Sequence, residues 1–145
     1  MTALYKIIKL CYYFCMENEK TDEIYQKNAL TLAYLGDAVF TLMVREHLIN
    51  KTDFKANMLN KIANNIVCAK NQAIIMEQIK PLLNETETEI AMRARNVHPN
   101  NKAKNSSMQE YSLATQFEAV VGFWYLEKQN TKLNEIFKRY VVEKL

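Results

Sequence analysis

Only two glycines and two prolines punctuate the 145 residues, against the roughly 7% and 5% of an average protein. Tight hairpins need residues that accept positive φ, and phosphate-cradling loops need glycine for close backbone approach. The chain therefore has almost no material for a hairpin meander, a P-loop or a dinucleotide-binding turn. Helices need none of it. Apolar residues make up 49% of the sequence, enough for the core of one domain of this length.

The hydrophobic pattern follows a helical rather than an alternating period throughout, and the expected fold class is all-α. Helices are expected at about Glu23–Leu48, Lys55–Lys80, Glu85–Asn96, Met108–Lys128 and Lys132–Glu143. The breaks have chemical causes. Asp53 can cap the second helix, and Pro81 ends it by removing an N–H and crowding the preceding turn. Asn84 or Thr86 can cap the third, and Ser106 or Ser107 the fourth. Between them, Val97–Asn105 reads as an exposed connector.

The first residues, Met1–Met16, are interrupted by Lys6 and Lys9 and fall short of the roughly 20 apolar residues that span a bilayer. Without a small-x-small cleavage site they also make a poor secretory signal. Residues 1–22 are expected to be an N-terminal extension, either a short helix or a stretch ahead of an alternative start at Met16. Residues 23–145 then form the functional domain. Three cysteines, Cys11, Cys15 and Cys68, and two histidines, His47 and His98, supply no zinc spacing. An odd thiol count suits a reducing compartment, so a cytoplasmic protein is expected. Cys68 and the seven methionines read as core filling.

Two segments are apolar almost all round, Ala29–Val44 and Leu113–Leu126, and each holds one acid, Asp37 and Glu118. Both are expected to be interior helices. A carboxylate there costs several kcal/mol unless paired, hydrogen-bonded or bound to a metal. The only two glycines accompany these acids, Gly36 beside Asp37 and Gly122 one turn after Glu118. A mid-helix glycine costs about 1 kcal/mol relative to alanine, so both are expected to serve close helix packing or access to the acids. Two readings remain open from the pattern. Each acid could satisfy a buried group such as Arg45 or a helix N-terminus, or the two could converge to hold a hard divalent cation, for which Mg²⁺ fits best.

Between Ile90 and Gln109 stand Arg93, Arg95, Lys102 and Lys104, with His98 and several asparagines including Asn96, and no acid. A solvated helix end and loop would account for this strip. So would a surface that grips a nucleic-acid backbone. With few aromatics in the strip, stacking on unpaired bases is not indicated, and duplex recognition is favoured. The overall charge of +3 is too mild to decide the matter.

The segment Leu32–Val39 (LAYLGDAV) resembles the signature helix of the ribonuclease III catalytic domain, and Ala114–Gly122 (ATQFEAVVG) resembles its second acidic motif. The run Arg93–Asn96 (RARN) and the spacing of Tyr111, Thr115 and Glu118 look like the Mini-ribonuclease III branch, which is a catalytic domain without a separate double-stranded-RNA-binding domain. The likeness spans about Asn28 to Lys128. It implies an all-α ribonuclease III catalytic-domain bundle and a homodimeric, Mg²⁺-dependent endoribonuclease of double-stranded RNA. It further implies 5′-phosphate products, maturation of large-subunit (23S) ribosomal RNA precursor as the task, and a ribosomal protein as an optional partner. Asp37 and Glu118 match the catalytic, metal-binding acids. Arg93, Arg95, Asn96, Lys102 and Lys104 are the expected RNA contacts, with Lys70 and Tyr111 as further candidates. The signature helix around Tyr34–Phe40 is the expected symmetric contact.

The chain departs from the family in two ways. Two further acids of full-length ribonuclease III correspond to Ala33 and Thr115, which puts a complete two-metal ligand set in doubt. Ala94 stands where the branch carries glycine, implying a changed backbone approach to RNA. The alternatives are an RNA-binding scaffold of the same fold that no longer cleaves, and a helical nucleotide pyrophosphohydrolase. The latter would need acids at one-turn spacing, whereas Glu85, Glu87 and Glu89 alternate and read as a solvated face.

Overall fold

The computed structural model describes residues 22–96 and 107–144. Every regular element among them is helical. A helical turn at residues 22–25 leads to α1 (Ala29–Lys51), α2 (Ala56–Ile66), α3 (Ala69–Ile79), a 3₁₀ turn (Lys80–Leu82), α4 (Glu85–Arg95), α5 (Met108–Leu126), α6 (Asn130–Tyr140) and a final 3₁₀ turn (Val142–Lys144).

Two of the expected helices are divided. The first breaks before Asn28, whose side chain accepts a hydrogen bond from the Leu30 N–H at 2.8 Å and starts α1 afresh. The second breaks at Val67 and Cys68. There the Asn65 carbonyl accepts from the Asn71 amide at 2.6 Å and from the Cys68 thiol at 3.3 Å. Side chains thus compete for a backbone acceptor that a continuous helix would use. Cys68 is exposed, not core, and Met58, Met92 and Met108 are also half exposed. Asp53 caps nothing: α2 starts at Ala56, preceded by Lys55, whose side chain makes no capping hydrogen bond.

Other boundaries follow the expected chemistry. Asn84 with Glu87 and Ser107 with Glu110 form reciprocal capping boxes at the starts of α4 and α5. Pro81 sits in the 3₁₀ turn that ends α3. The last helix begins and ends a little earlier than expected, at Asn130–Tyr140.

Helix α5 is the axis of the fold, packed by α1, α3, α4 and α6. From Leu113 to Trp124 every residue is buried except Glu118. Phe117 meets Phe40 of α1 edge-to-face, with ring centroids 5.0 Å apart. Helix α1 is not enclosed as its composition suggests. One side lies on α5, while Leu30, Tyr34, Leu42 and Ile49 are exposed.

Candidate active site

Helices α1 and α5 cross at their glycines. A Cβ on Gly36 would lie 1.8 Å from the Glu118 carbonyl oxygen, and one on Gly122 would lie 2.0 Å from that of Leu32. Neither distance admits a methyl group, so the glycines let the two backbones touch. That contact sets Asp37, one residue after Gly36, beside Glu118, one turn before Gly122.

Both acids open into a cleft of about 390 Å³. Ala33, Tyr34 and Asp37 line it from α1, Ala69 from α3, and Tyr111, Thr115 and Glu118 from α5. Asp37 is exposed and Glu118 half-buried, so neither is sealed in the interior. Burial and the neighbouring Asp37 charge push the Glu118 carboxyl up from the usual 4.5 to about 7, opposed by a hydrogen bond from Gln72. A carboxyl destabilised by a second carboxylate in an open cleft attracts positive charge.

The acids find no partner in Arg45, which borders a separate groove between α1 and α2. Their partner is Gln72 of α3, a residue the sequence reading missed. Its side chain is 1% exposed, and its Nε2 lies 3.5 Å from Asp37 Oδ1. The available signal was the stripe of positions 69, 72, 73, 76 and 79, where a glutamine interrupts an otherwise apolar helical face.

Among the described residues no group of three or more His, Cys, Asp or Glu side chains gathers as a metal cluster. The site's protein donors are two carboxylates, the hard oxygen set that a cation such as Mg²⁺ accepts while keeping several waters. The charge that Asp37 and Glu118 accumulate fits such an ion. Ala33 and Thr115 both line the cleft, and neither brings an acid to it. The Thr115 hydroxyl is committed to the Tyr111 carbonyl at 3.0 Å.

The basic candidates divide. Tyr111 is in the cleft wall, and exposed Lys70 follows Ala69, which is also in that wall. Arg95 and Asn96 are exposed at the end of α4. Arg93 is half-buried: its Nη2 donates to the Tyr25 carbonyl at 2.6 Å, and its guanidinium stacks 4.7 Å from the Tyr25 ring. Tyr25 in turn donates its hydroxyl proton to Glu89, an interaction that raises its pKa. Lys102, Lys104 and His98 lie outside the described residues.

Two expectations are corrected here. Ala94 is 1% exposed within the core, so its methyl group faces packed side chains rather than a ligand. Glu87 is fully buried and not on a solvated face. It accepts from Trp124 Nε1 at 2.7 Å, from Lys132 Nζ at 2.5 and 2.7 Å, and from the Asn84 N–H at 2.9 Å.

Residues 30–129 match the Ribonuclease III domain family. The chain belongs to the ribonuclease III family. It is 39% identical over 127 residues to Mini-ribonuclease 3 of Clostridium tetani, covering 87% of this chain and 84% of that protein. It is 36% identical over 128 residues to Mini-ribonuclease 3 of Staphylococcus aureus, covering 87% and 96%. A solved structure of a Fusobacterium nucleatum protein superposes with a TM-score of 0.75 at 30% identity, covering 83% of this chain and 96% of that one. The ribonuclease III fold is therefore the frame that holds Asp37 and Glu118, and the protein is an endoribonuclease.

Proposed function

We propose that this endoribonuclease cleaves double-stranded RNA with Mg²⁺, that Asp37 and Glu118 are its metal-binding catalytic acids, and that its task is to mature the 23S ribosomal RNA precursor in the cytoplasm. The observation that carries the chemistry is the convergence of these two carboxylates in one open cleft, with Glu118 raised to about 7. The substrate class rests on likeness to proteins named Mini-ribonuclease 3.

Asp37 and Glu118 would hold the cation from opposite helices. A Mg²⁺ ion bound there would supply Lewis-acid polarisation of the phosphodiester and a more acidic bound water. The protein's own contribution is placement. The glycine crossing fixes the distance between the acids, and burial of α5 around Glu118 holds its backbone still. Lys70, Arg95, Asn96, Lys102 and Lys104 are the proposed phosphate and groove contacts, with Tyr111 at the wall of the cleft. Arg93 is also kept as a candidate RNA contact, although its hydrogen bond to Tyr25 ties it to the preceding helical turn.

A homodimer completes the reading. Tyr34, Leu42 and Ile49 are 84%, 63% and 64% exposed along the outer side of α1, and such an apolar stripe is covered economically by a second copy about a two-fold axis. Phe40 is not part of it, being 3% exposed against α5. No helix among the described residues is long and apolar enough to cross a membrane.

Cleavage of a long duplex RNA and of a 23S precursor, with Mg²⁺ or with EDTA, tests the proposal. Asp37→Asn and Glu118→Gln are each expected to lower the rate by at least about a thousandfold while RNA binding persists. Products should carry 5′ phosphates. Folded wild type that binds both RNAs but cuts neither would overturn the mechanism and leave the scaffold alternative.

A further inference from the structure

A glutamine in an apolar helix stripe needs a reason, because leucine or methionine would pack there without the cost of burying an amide. Gln72 is 1% exposed, with Ala73 at 4% and Met76 at 0% beside it. Its backbone is thus anchored in the core, and its side chain reaches from α3 toward the two acids of α1 and α5. An ionised carboxylate only accepts, and the amide presents its nitrogen to Asp37 Oδ1. That nitrogen carries two protons, and there are two acceptors: Asp37 Oδ1 at 3.5 Å and the Glu118 carboxylate. Helix α3 is the one wall of the cleft that contributes no acid. Its start is set by the break at Cys68, which separates Gln72 from the course of α2.

We propose that Gln72 is a positioning residue of the cleavage site, its buried side-chain amide donating to Asp37 and Glu118 together and holding both carboxylates in register for a shared divalent cation. The proposal rests on the two-carboxylate reading above. The amide brings orientation without adding negative charge, so it restrains the pair and leaves the outer carboxylate oxygens free for the ion and its waters. Groups that orient metal ligands in this way typically affect metal affinity or activity by about 10–100-fold when removed.

The test uses the full chain. Binding of Mn²⁺ alone, read by electron paramagnetic resonance without RNA, is compared with kcat and KM for duplex cleavage in wild type, Gln72→Met and Gln72→Glu. In Gln72→Met, Mn²⁺ affinity and kcat are each expected to fall about tenfold, with KM for RNA within about twofold, since no RNA contact is removed. Gln72→Glu keeps the size of the side chain but replaces a donor with an acceptor. Its kcat is expected to remain low whatever its Mn²⁺ affinity, and it carries the test should Gln72→Met fail to fold. Wild-type kcat in Gln72→Glu, or unchanged Mn²⁺ affinity and kcat in folded Gln72→Met, would overturn the positioning role alone. Absence of Mn²⁺ binding by the wild type would overturn the two-carboxylate reading and this role with it.

Discussion

Glu87 and Glu118 both stand on helices packed in the core, yet their surroundings are opposites. Glu87 is completely buried, and each carboxylate oxygen is satisfied, by the Trp124 indole, the Asn84 N–H and the Lys132 ammonium. Glu118 is only half-buried, but it meets another carboxylate, one amide, and no cation among the described residues. The more deeply buried acid is the structural one. Burial alone therefore does not single out the carboxylate proposed to react; what sets Glu118 apart is an incomplete set of partners facing a cleft.

The sharpest way to break this contrast is to make Glu87 resemble Glu118 by removing its cation. Lys132→Met leaves a buried charge with neutral donors only and is expected to destabilise the protein by about 3 kcal/mol. Urea unfolding followed by Trp124 fluorescence measures it, since Trp124 is the only tryptophan and touches the same carboxylate. Adding Glu87→Gln to Lys132→Met should restore part of the loss, because the unpaired charge is gone. Cleavage per folded molecule should stay at the wild-type level. A large loss of kcat in folded Lys132→Met would erase the division between structural and functional acids.

The same contrast explains what the sequence made legible. Asp37 and Glu118 stood out because each was the only acid in an apolar run, and Gly36 and Gly122 because the chain has no other glycine. These signals are local, and the structure places all four residues at one helix crossing. Glu87 was hidden by the alternation of Glu85, Glu87 and Glu89, which suggests a solvated face; only the tertiary approach of Trp124 and Lys132 buries it. Gln72 was hidden because residues 55–80 read as one helix, whereas the Asn65 carbonyl is captured by Asn71 and Cys68 and the axis breaks. Composition also gave no way to see that α1 is covered on one side only. An apolar surface left exposed and an apolar surface in a core have the same sequence pattern.

A second expected effect is smaller and opposite in sign. Because the folded protein raises Glu118 from 4.5 to about 7, the folded state holds this proton more tightly than the unfolded chain. Stability of the metal-free protein contributed by the protonated group is full below about pH 4.5 and is lost as pH rises through about 7. Glu118→Gln removes that loss. At pH 8 it is expected to stabilise the metal-free protein by on the order of 2 kcal/mol after solvent screening at the cleft, or roughly 5 °C in melting temperature. Near pH 5 the gap should shrink. Wild type, but not the variant, should gain melting temperature with Mg²⁺ at pH 8. Equal melting temperatures of wild type and variant at pH 8 without metal would show that Glu118 carries no electrostatic strain.

The smallest effect concerns the joint that delivers Lys132 to Glu87. Helix α5 ends with the Gln129 N–H bonded to the Trp124 carbonyl at 2.9 Å, and Lys128 occupies the left-handed region at φ 59°. This closure turns the chain so that α6 begins at Asn130 with Lys132 facing back across α5. A lysine in that conformation suffers a Cβ clash that glycine avoids. Lys128→Gly is therefore expected to stabilise by about 0.5 kcal/mol, once the greater entropy of the unfolded glycine chain and loss of the Lys128 contact with Tyr125 are set against the relieved strain. Paired urea curves of Lys128→Gly and Lys128→Ala separate these terms, since only glycine relieves the strain while both lose the cation. If Lys128→Ala is the more stable of the two, the greater unfolded-state entropy of glycine outweighs the strain it relieves, and the expected gain fails.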